Sequence, residues 1–327
     1  MSAAARPLLL KRPVKLACVQ LASGADKAAN LAHARDKVRE AAAAGARIIV
    51  LPECFNSPYG CDYFPSYAEQ LRPYPPPPER SPSYHALRDM ARETGTYLIG
   101  GSIPELELPP EGADAAAGAA ADAGKAAGAG PKYYNTSLVF SPTGALLAAH
   151  RKVHLFDIDI PGGIRFIESA VLSAGDALTL VDLPEYGRVG LAICYDVRFP
   201  EPAAIAARRG CFALVYPGAF NLTTGPLHWR LLARSRAVDN QLYVAMCSPA
   251  RDMAASYHAW GHSVVVDPMA GVLVEAGETE TIVYADLDGS TIEEARTGIP
   301  LRDQRRFDVY PDVNEGRIRF REEPEQT

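Results

Sequence analysis

The sequence predicts a mixed α/β protein in which helices cover two mixed β-sheets. Short, continuously apolar runs such as residues 48–51 and 212–216 are typical of buried strands. Longer segments with helical character, such as residues 26–46 and 226–239, alternate with these runs along the chain. A Pro-Thr-Gly turn at residues 142–144 predicts a hairpin. Because hairpins make antiparallel pairs, one purely parallel sheet does not fit this sequence.

In the N-terminal half, apolar runs indicate the strands, and helical spacing of apolar residues indicates the first helix. Ser81 and Pro82 predict the N-cap and first turn of a second helix. The elements predicted in this half are strand 14–21, helix 26–46, strand 48–51, helix 81–94 and strand 97–102.

In the C-terminal half, turn residues at 142–144 and 268–271 join pairs of apolar runs, which predicts hairpins. Helices follow two of the later strands, an arrangement typical of sheets covered by helices. The elements predicted here are hairpin 133–141 with 145–152, hairpin 178–182 with 188–194, helix 200–209, strand 212–216, helix 226–239, strand 242–247, hairpin 263–267 with 272–275, and strand 282–286.

One segment interrupts this pattern. Residues 106–131 are rich in Ala and Gly and have little apolar surface to bury, which predicts a mobile surface loop. We expect this insert to lie within a single domain, residues 14–310, preceded by a flexible N-terminus, residues 1–13. Residues 311–327 are predicted to form a C-terminal tail, whose arginines alternate with acidic residues as in a solvated arm or a subunit contact.

Composition excludes several classes of function. The 327 residues carry a net charge of −6, so no basic surface for nucleic acid is indicated. No apolar run approaches the roughly 20 residues needed to cross a bilayer. The apolar patch near the N-terminus is too short for a secretion signal. Since the six cysteines lie mostly in strand-like runs, we expect reduced thiols and a cytoplasmic protein.

The most informative residue is Cys194, which ends an apolar strand and directly precedes a predicted helix start. In α/β folds this is where reactive groups usually lie. Helix N-terminal amides favour the thiolate, which is the nucleophilic form of cysteine. A buried core cysteine is the alternative interpretation, because free cysteines are common in protein cores.

Two other polar side chains also follow predicted strands. Glu53 comes directly after the run at 48–51, and Lys152 ends the strand at 145–152. A glutamate in this place can take the thiol proton and pass it to a departing amine. A lysine can lower the pKa of the cysteine and stabilise a developing oxyanion, with the backbone N–H of Tyr195 as a second donor. The combination predicts nucleophilic catalysis by Cys194.

Three motifs resemble the nitrilase, or carbon-nitrogen hydrolase, superfamily: Leu-Pro-Glu at 51–53, Arg-Lys-Val-His-Leu-Phe at 151–156 and Gly-Leu-Ala-Ile-Cys-Tyr-Asp-Val-Arg-Phe-Pro-Glu at 190–201. The resemblance implies a four-layer α-β-β-α sandwich and a catalytic triad of Glu53, Lys152 and Cys194. It also implies a second glutamate near the site, matched here by Glu168, which would hold Lys152. No cofactor or metal is expected.

Within this superfamily, residues 156–162, 216–229 and 234–241 are similar to the omega-amidase branch. That resemblance implies hydrolysis of the terminal amide of α-ketoglutaramate and α-ketosuccinamate, through a cysteine thioester, to a 2-oxo dicarboxylate and ammonia. It also implies at least a homodimer packed through helices near the catalytic strand. Candidate residues for binding the small-molecule substrate are Tyr59, Arg198, Phe220, Thr224 and His228.

Four other interpretations are open. A cysteine-histidine enzyme could use His154, since strand alternation places it on the same face as Lys152. Two His-x3-His pairs, 150/154 and 258/262, suggest zinc, but an extended chain would separate such a pair by about 13 Å. A non-enzymatic interaction module could retain the sandwich. Finally, the deaminated-glutathione amidase branch shares the triad and differs in its pocket.

Overall fold

The computed structural model describes residues 8–109, 130–162 and 165–320. Its strands are β1 Val14–Gln20, β2 Ile48–Val50, β3 Tyr97–Ile99, β4 Ile103–Glu107, β5 Lys132–Phe140, β6 Leu146–Arg151, β7 Asp157–Asp159, β8 Arg165–Ile167, β9 Thr179–Leu183, β10 Gly187–Leu191, β11 Cys211–Pro217, β12 Tyr243–Cys247, β13 Val264–Val266, β14 Val272–Glu275 and β15 Thr281–Leu287. Its α-helices are α1 Lys27–Ala43, α2 Phe64–Tyr67, α3 Pro82–Thr94, α4 Pro200–Arg208, α5 Gly225–Asn240 and α6 Gly289–Gly298.

The strands form two large mixed sheets and one small hairpin. The first sheet has the order β15-β1-β2-β3-β5-β4, and β6 pairs with β5. The second sheet has the order β14-β13-β12-β11-β10-β9. In each sheet three central strands run parallel, β1 to β3 and β10 to β12, and the outer pairings are antiparallel. The hairpin of β7 and β8 stands apart from both sheets.

Three apolar cores define four layers. Because successive strand residues point to opposite faces, Val50 packs between the sheets whereas Ile49 packs under helices. The central core joins residues of both sheets, including Val50 and Val215. A second core joins the first sheet to α1 and α3, and a third joins the second sheet to α4 and α5. The predicted α-β-β-α sandwich is therefore confirmed.

Helix starts are fixed by carboxylates. The Asp26 side chain accepts a hydrogen bond from the N–H of Ala29 at 3.1 Å and caps α1. For α3, Ser81 is the N-cap residue and Pro82 lies in the first turn, as predicted, but the Ser81 hydroxyl donates to the carbonyl of Gln70 and does not cap the helix. The buried carboxylate of Glu69 accepts the N–H of Ser83 at 2.9 Å and satisfies this helix end.

Several boundaries differ from those predicted. The strand predicted at 188–194 ends at Leu191, so two residues of irregular chain separate it from Cys194. The start of the predicted insert at 106–131 belongs to β4, which pairs with β5. Residues 110–129 of that insert lie outside the described residues. Strands β4, β7 and β8 and helix α6 were not predicted, because they are short or carry mixed polar and apolar residues.

Both ends of the described chain pack on the domain. Leu10 is fully buried in the central core, and the N–H of Lys11 donates to the carbonyl of Tyr186. Residues 1–7 of the predicted flexible terminus and residues 321–327 of the predicted tail lie outside the described residues. In the described part of the tail, Asp312 is paired with Arg208 at 2.7 Å. No helix in the described ranges is long and apolar enough to cross a membrane.

Candidate active site

The structure brings the three predicted residues together where the two sheets meet. Glu53 lies just beyond β2, and Lys152 directly follows β6, so both come from the first sheet. Cys194 lies beyond β10 of the second sheet. The side chains of Glu53 and Lys152 are fully buried, and Cys194 is 3% exposed. Enclosure of this kind excludes water and strengthens the electrostatic interactions between the groups.

Lys152 is held between two glutamates. Its Nζ lies 3.2 Å from Oε1 of Glu53 and 2.8 Å from Oε1 of Glu168. The second oxygen of Glu168 accepts the N–H of Phe156 at 2.7 Å, and the Tyr59 hydroxyl donates to Glu168 at 3.4 Å. Glu168 therefore lies where the resemblance places the residue that orients the lysine.

Glu53 has its own supports from both sheets. Nδ2 of Asn135, on β5, donates to Oε1 of Glu53 at 2.8 Å. The N–H of Ala219, just after β11, donates to Oε2 at 2.8 Å. One carboxylate thus receives three donors, counting Lys152. This fixes its position and leaves it able to exchange a proton with a group placed beside it.

The backbone at Cys194 is unusual. Its φ of 46° lies in the left-handed region that non-glycine residues seldom adopt. Cys194 begins a short 3-10 helix, Cys194–Arg198, and α4 follows directly. A Cβ on Gly218 would lie 3.1 Å from Cα of Cys194, closer than most Cβ contacts, so the glycine lets the two segments approach without displacement. Strain held by close packing of this kind is typical of functional sites.

The electrostatics of the site correct one prediction. Burial raises the pKa of the Cys194 thiol well above its usual range, and Glu53 raises it further. Lys152 and the N–H of Ala219 act in the opposite direction but do not overcome these effects. Lys152 thus lowers this pKa as expected, but the net shift of the pKa is upward. A raised thiol pKa favours the protonated form of Cys194.

Lys152 keeps its positive charge. Burial would lower its pKa, but Glu168 and Glu53 outweigh burial and raise this pKa well above its usual range. Burial also raises the pKa of Glu168, against the effect of Lys152. A second donor can come from the backbone of Tyr195, whose N–H precedes the first bonded N–H of the 3-10 helix, that of Asp196. Lys152 and the Tyr195 N–H remain the two donors predicted for an oxyanion.

A cavity of about 620 Å³ opens beside these residues and is lined by Glu53, Tyr59 and Tyr257. The rings of Tyr59 and Tyr257 lie 4.5 Å apart, and Phe166 of β8 contacts both. The Tyr257 hydroxyl donates to the carbonyl of Ala219 at 2.5 Å. Of the five predicted substrate-binding residues, Tyr59 lines this cavity.

The other four predicted residues lie together beyond Cys194. The Arg198 guanidinium sits 4.9 Å above the Phe220 ring, and its Nη1 is 3.1 Å from Nδ1 of His228. Burial and then Arg198 lower the pKa of His228, which favours its neutral form. The Thr224 hydroxyl donates to Oδ1 of Asn221 at the start of α5. Thr224 is thus engaged in a local turn, whereas Arg198 presents a positive charge near the site.

The histidine alternatives can be compared with this geometry. Nδ1 of His154 lies 2.7 Å from Asp196, and its ring stacks on Phe199 at 3.7 Å. Glu53, Lys152 and Glu168 are the side chains that act most strongly on the Cys194 thiol.

The chain bends after β6, so His150 and His154 both reach Asp196, and the argument from an extended chain was wrong. Within the described residues, no group of three or more His, Cys, Asp or Glu side chains could hold a metal ion.

Sequence reasoning missed four contributors to this site: Asn135, Asp196, Ala219 and Tyr257. Asn135 had a usable signal, since a polar amide within the apolar strand β5 requires a partner. Asp196 stands in the motif around Cys194, but its role depends on contacts with a distant strand. Ala219 acts through its backbone, and Tyr257 lies in an irregular loop, so neither had a readable pattern.

Residues 15–297 match the family model described as carbon-nitrogen hydrolase. The chain therefore belongs to the carbon-nitrogen hydrolase family, and its predicted class, a hydrolase of carbon-nitrogen bonds, is confirmed.

Its relatives specify the family further. A Schizosaccharomyces pombe hydrolase is 55% identical over 96% of this chain and 89% of its own. The human omega-amidase NIT2 is 54% identical over 90% of this chain and 96% of its own. The crystal structure of Saccharomyces cerevisiae Nit3, a member of branch 10 of the nitrilase superfamily, is 46% identical with a TM-score of 0.78. It covers 93% of this chain and 100% of the Nit3 chain. The predicted resemblance to omega-amidases is thus confirmed.

Proposed function

We propose that this hydrolase is an omega-amidase that cleaves the terminal amide of small 2-oxo dicarboxylic acid monoamides, with Glu53, Lys152 and Cys194 as catalytic residues. The observation that carries the proposal is the buried arrangement of one cation between two carboxylates beside a thiol. The similarity to proteins named omega-amidase, over most of both chains, supports the substrate class.

The first half of the reaction forms a thioester. The sulfur of Cys194 attacks the amide carbonyl carbon while Glu53 takes the thiol proton, which the raised thiol pKa makes necessary. The carbonyl oxygen becomes negative and is stabilised by Nζ of Lys152 and the N–H of Tyr195. Glu53 then gives the proton to the nitrogen, the carbon-nitrogen bond breaks, and ammonia leaves.

The second half of the reaction hydrolyses the thioester. Glu53 takes a proton from a water molecule, whose oxygen attacks the thioester carbon. The second tetrahedral intermediate uses the same two donors. When it collapses, the carbon-sulfur bond breaks, the sulfur regains the proton from Glu53, and the 2-oxo dicarboxylate leaves. Glu168 supports both halves by holding Lys152 charged and in place.

The free carboxylate of the substrate needs a cation or several donors. Arg198 is the best supported of the predicted candidates, because its guanidinium lies against Phe220, next to Ala219, whose N–H contacts Glu53. His228 contacts Arg198 in this position, and Tyr59 lies beside Glu168 and lines the cavity. A guanidinium suits a carboxylate because it can donate two parallel hydrogen bonds.

We also propose that the enzyme is a homodimer that associates through the outer face of α5. Leu227 and Leu231 lie one turn apart on this helix and are 62% and 58% exposed. Neighbouring exposed leucines on one helix face are typical of a protein interface. Replacing Leu231 with Glu is expected to give monomers in analytical ultracentrifugation. A dimer that persists with unchanged affinity would contradict this interface.

A cytoplasmic location is supported by the cysteines, all six of which are free thiols, five of them buried. Reduced thiols are typical of proteins in reducing compartments. Cell fractionation with an antibody to the protein tests this proposal, and recovery in a secreted fraction would contradict it.

The substrate is tested by comparing hydrolysis of α-ketoglutaramate and deaminated glutathione, with Cys194→Ala as the control. We expect ammonia release from α-ketoglutaramate with a much higher kcat/KM, and no turnover by the alanine variant. A strong preference for deaminated glutathione would assign the enzyme to that other amidase branch. Rapid acid quenching during turnover of α-ketoglutaramate, followed by mass spectrometry of the peptide that contains Cys194, tests the thioester, because a thioester hydrolyses slowly in acid.

A further inference from the structure

Asp196 connects the two strands that supply Lys152 and Cys194. Its side chain is 2% exposed and belongs to the 3-10 helix that begins at Cys194. Oδ2 accepts the N–H of Ile193, the residue directly before the nucleophile, at 2.9 Å. Oδ1 accepts the N–H of His154, two residues after Lys152, at 2.9 Å. One carboxylate therefore joins the end of β6 in the first sheet to the end of β10 in the second.

Two histidines face this carboxylate from β6 and the segment after it. Nδ1 of His154 is 2.7 Å from Oδ1 of Asp196, and Nε2 of His150 is 3.5 Å from Oδ2. His150 is itself held by the Thr179 hydroxyl on β9. Burial acts to raise the pKa of Asp196, but its contacts with His150 and His154 outweigh burial and keep this pKa well below its usual range. The ionised carboxylate accepts the backbone N–H groups of Ile193 and His154.

A local capping role does not account for these contacts. Satisfying the start of the 3-10 helix requires the bond to Ile193 alone. The bonds to His154 reach 42 residues back along the chain and join the other sheet. A buried, ionised side chain that spans two sheets next to the nucleophile controls the relative position of the groups on either side of it.

We propose that Asp196 is a positioning residue that sets the distance between Lys152 and the sulfur of Cys194. This inference rests on the proposed function, in which both groups act on the same carbonyl. A displacement of about 1 Å between reacting groups can lower a rate about a hundredfold, although no contact with the substrate is lost. The carboxylate is required because it offers two acceptor oxygens to two backbone N–H groups.

The test is the variant Asp196→Asn, compared with Asp312→Asn. An asparagine has one acceptor oxygen, so either Ile193 or His154 loses its acceptor and faces an NH2 group. We expect kcat for α-ketoglutaramate to fall about 10- to 100-fold while KM stays within about threefold of the wild type. Asp312 is also a buried, paired aspartate, but it contacts Arg208 far along the chain. Its variant is expected to lower Tm and to keep kcat unchanged.

Asp196→Glu keeps the charge for the two histidines and moves the carboxylate by one methylene. It provides a second measurement if the asparagine variant is insoluble. A loss of kcat with a nearly normal Tm supports the positioning role. Asp196 variants that lose Tm but retain kcat within twofold would overturn it. If Cys194→Ala still hydrolyses the substrate, the proposed triad fails instead, and the two failures are distinguishable.

Discussion

Replacing Glu53 with Gln is expected to slow turnover and, at the same time, to make the Cys194 thiol more acidic. The variant removes the proposed base, a change that lowers rates about 10²- to 10⁴-fold. This corresponds to about 3–5 kcal/mol in the activation barrier. Glu53 also raises the pKa of the thiol through its charge, so its removal lowers that pKa. Turnover is therefore expected to fall in the variant, whereas the reactivity of the thiol at a given pH is expected to rise.

Turnover is measured as ammonia release from α-ketoglutaramate. The thiol is followed by the pH dependence of its reaction with iodoacetamide, with the labelled peptide identified by mass spectrometry. We expect the midpoint of this reaction to lie at lower pH in the variant than in the wild type. Glu69→Gln is the matched control. Glu69 is as buried as Glu53, but it is paired with Lys27 and lies at the start of α3. This control is expected to change neither kcat nor the alkylation midpoint.

A thiol midpoint that stays in place, or moves to higher pH, would refute the electrostatic reasoning. Turnover within tenfold of the wild type would refute the assignment of Glu53 as the base. The amide of the variant also leaves Asn135 or Ala219 without an acceptor, which costs about 1–3 kcal/mol of stability. Thermal unfolding measures that cost separately, and folded protein at assay temperature is required for the comparison.

Four further predictions concern the same region. Lys152→Met leaves two fully buried glutamates without their cation, so we expect the free energy of unfolding, measured with urea, to fall by about 3–5 kcal/mol. A fall of less than about 1 kcal/mol would contradict this ion network. Gly218→Ala places a Cβ 3.1 Å from Cα of Cys194, so we expect kcat to fall. The same change at a glycine in a surface loop is expected to leave kcat unchanged. Arg198→Gln should raise KM for α-ketoglutaramate at least tenfold, whereas the exposed Arg230→Gln should leave it unchanged. Folding lowers the pKa of Asp196, so its ionised side chain stabilises the fold above about pH 4 and loses this effect as pH falls. In urea titrations from pH 5 to 3, the difference in free energy of unfolding between the wild type and Asp196→Asn should therefore decrease.

The layers of the fold could be predicted from sequence because their signals are local. Continuous apolar runs identified the central strands, and the core divides them as alternation requires, with Ile49 and Val50 on opposite faces. The hairpin of β7 and β8 could not be predicted in this way. Its strands are three residues long and include charged residues, and they pair with each other rather than with either sheet. Such elements depend on tertiary contacts that no local pattern records.

The three central residues of the site, Glu53, Lys152 and Cys194, could be predicted because each follows a strand within a recognisable motif. The surroundings of these residues could not be predicted from the sequence. The direction of the thiol pKa depends on how deeply Cys194 is buried and on the nearness of Glu53, and both follow from the packing of distant segments. For the same reason Ala219 was invisible, since its contribution is a main-chain N–H that any residue but proline could supply.

The site divides between two sheets, and the apolar core between those sheets therefore acts as a spacer for the chemistry. Glu53 and Lys152, the proposed base and oxyanion donor, follow strands of the first sheet, and Cys194, the proposed nucleophile, follows a strand of the second. Val50 and Val215 lie in that core and do not reach the substrate. Changing the volume of such residues alters the separation of the sheets, and with it the alignment of base and sulfur. We therefore expect turnover to depend on the packing of apolar residues that take no part in any bond-making step.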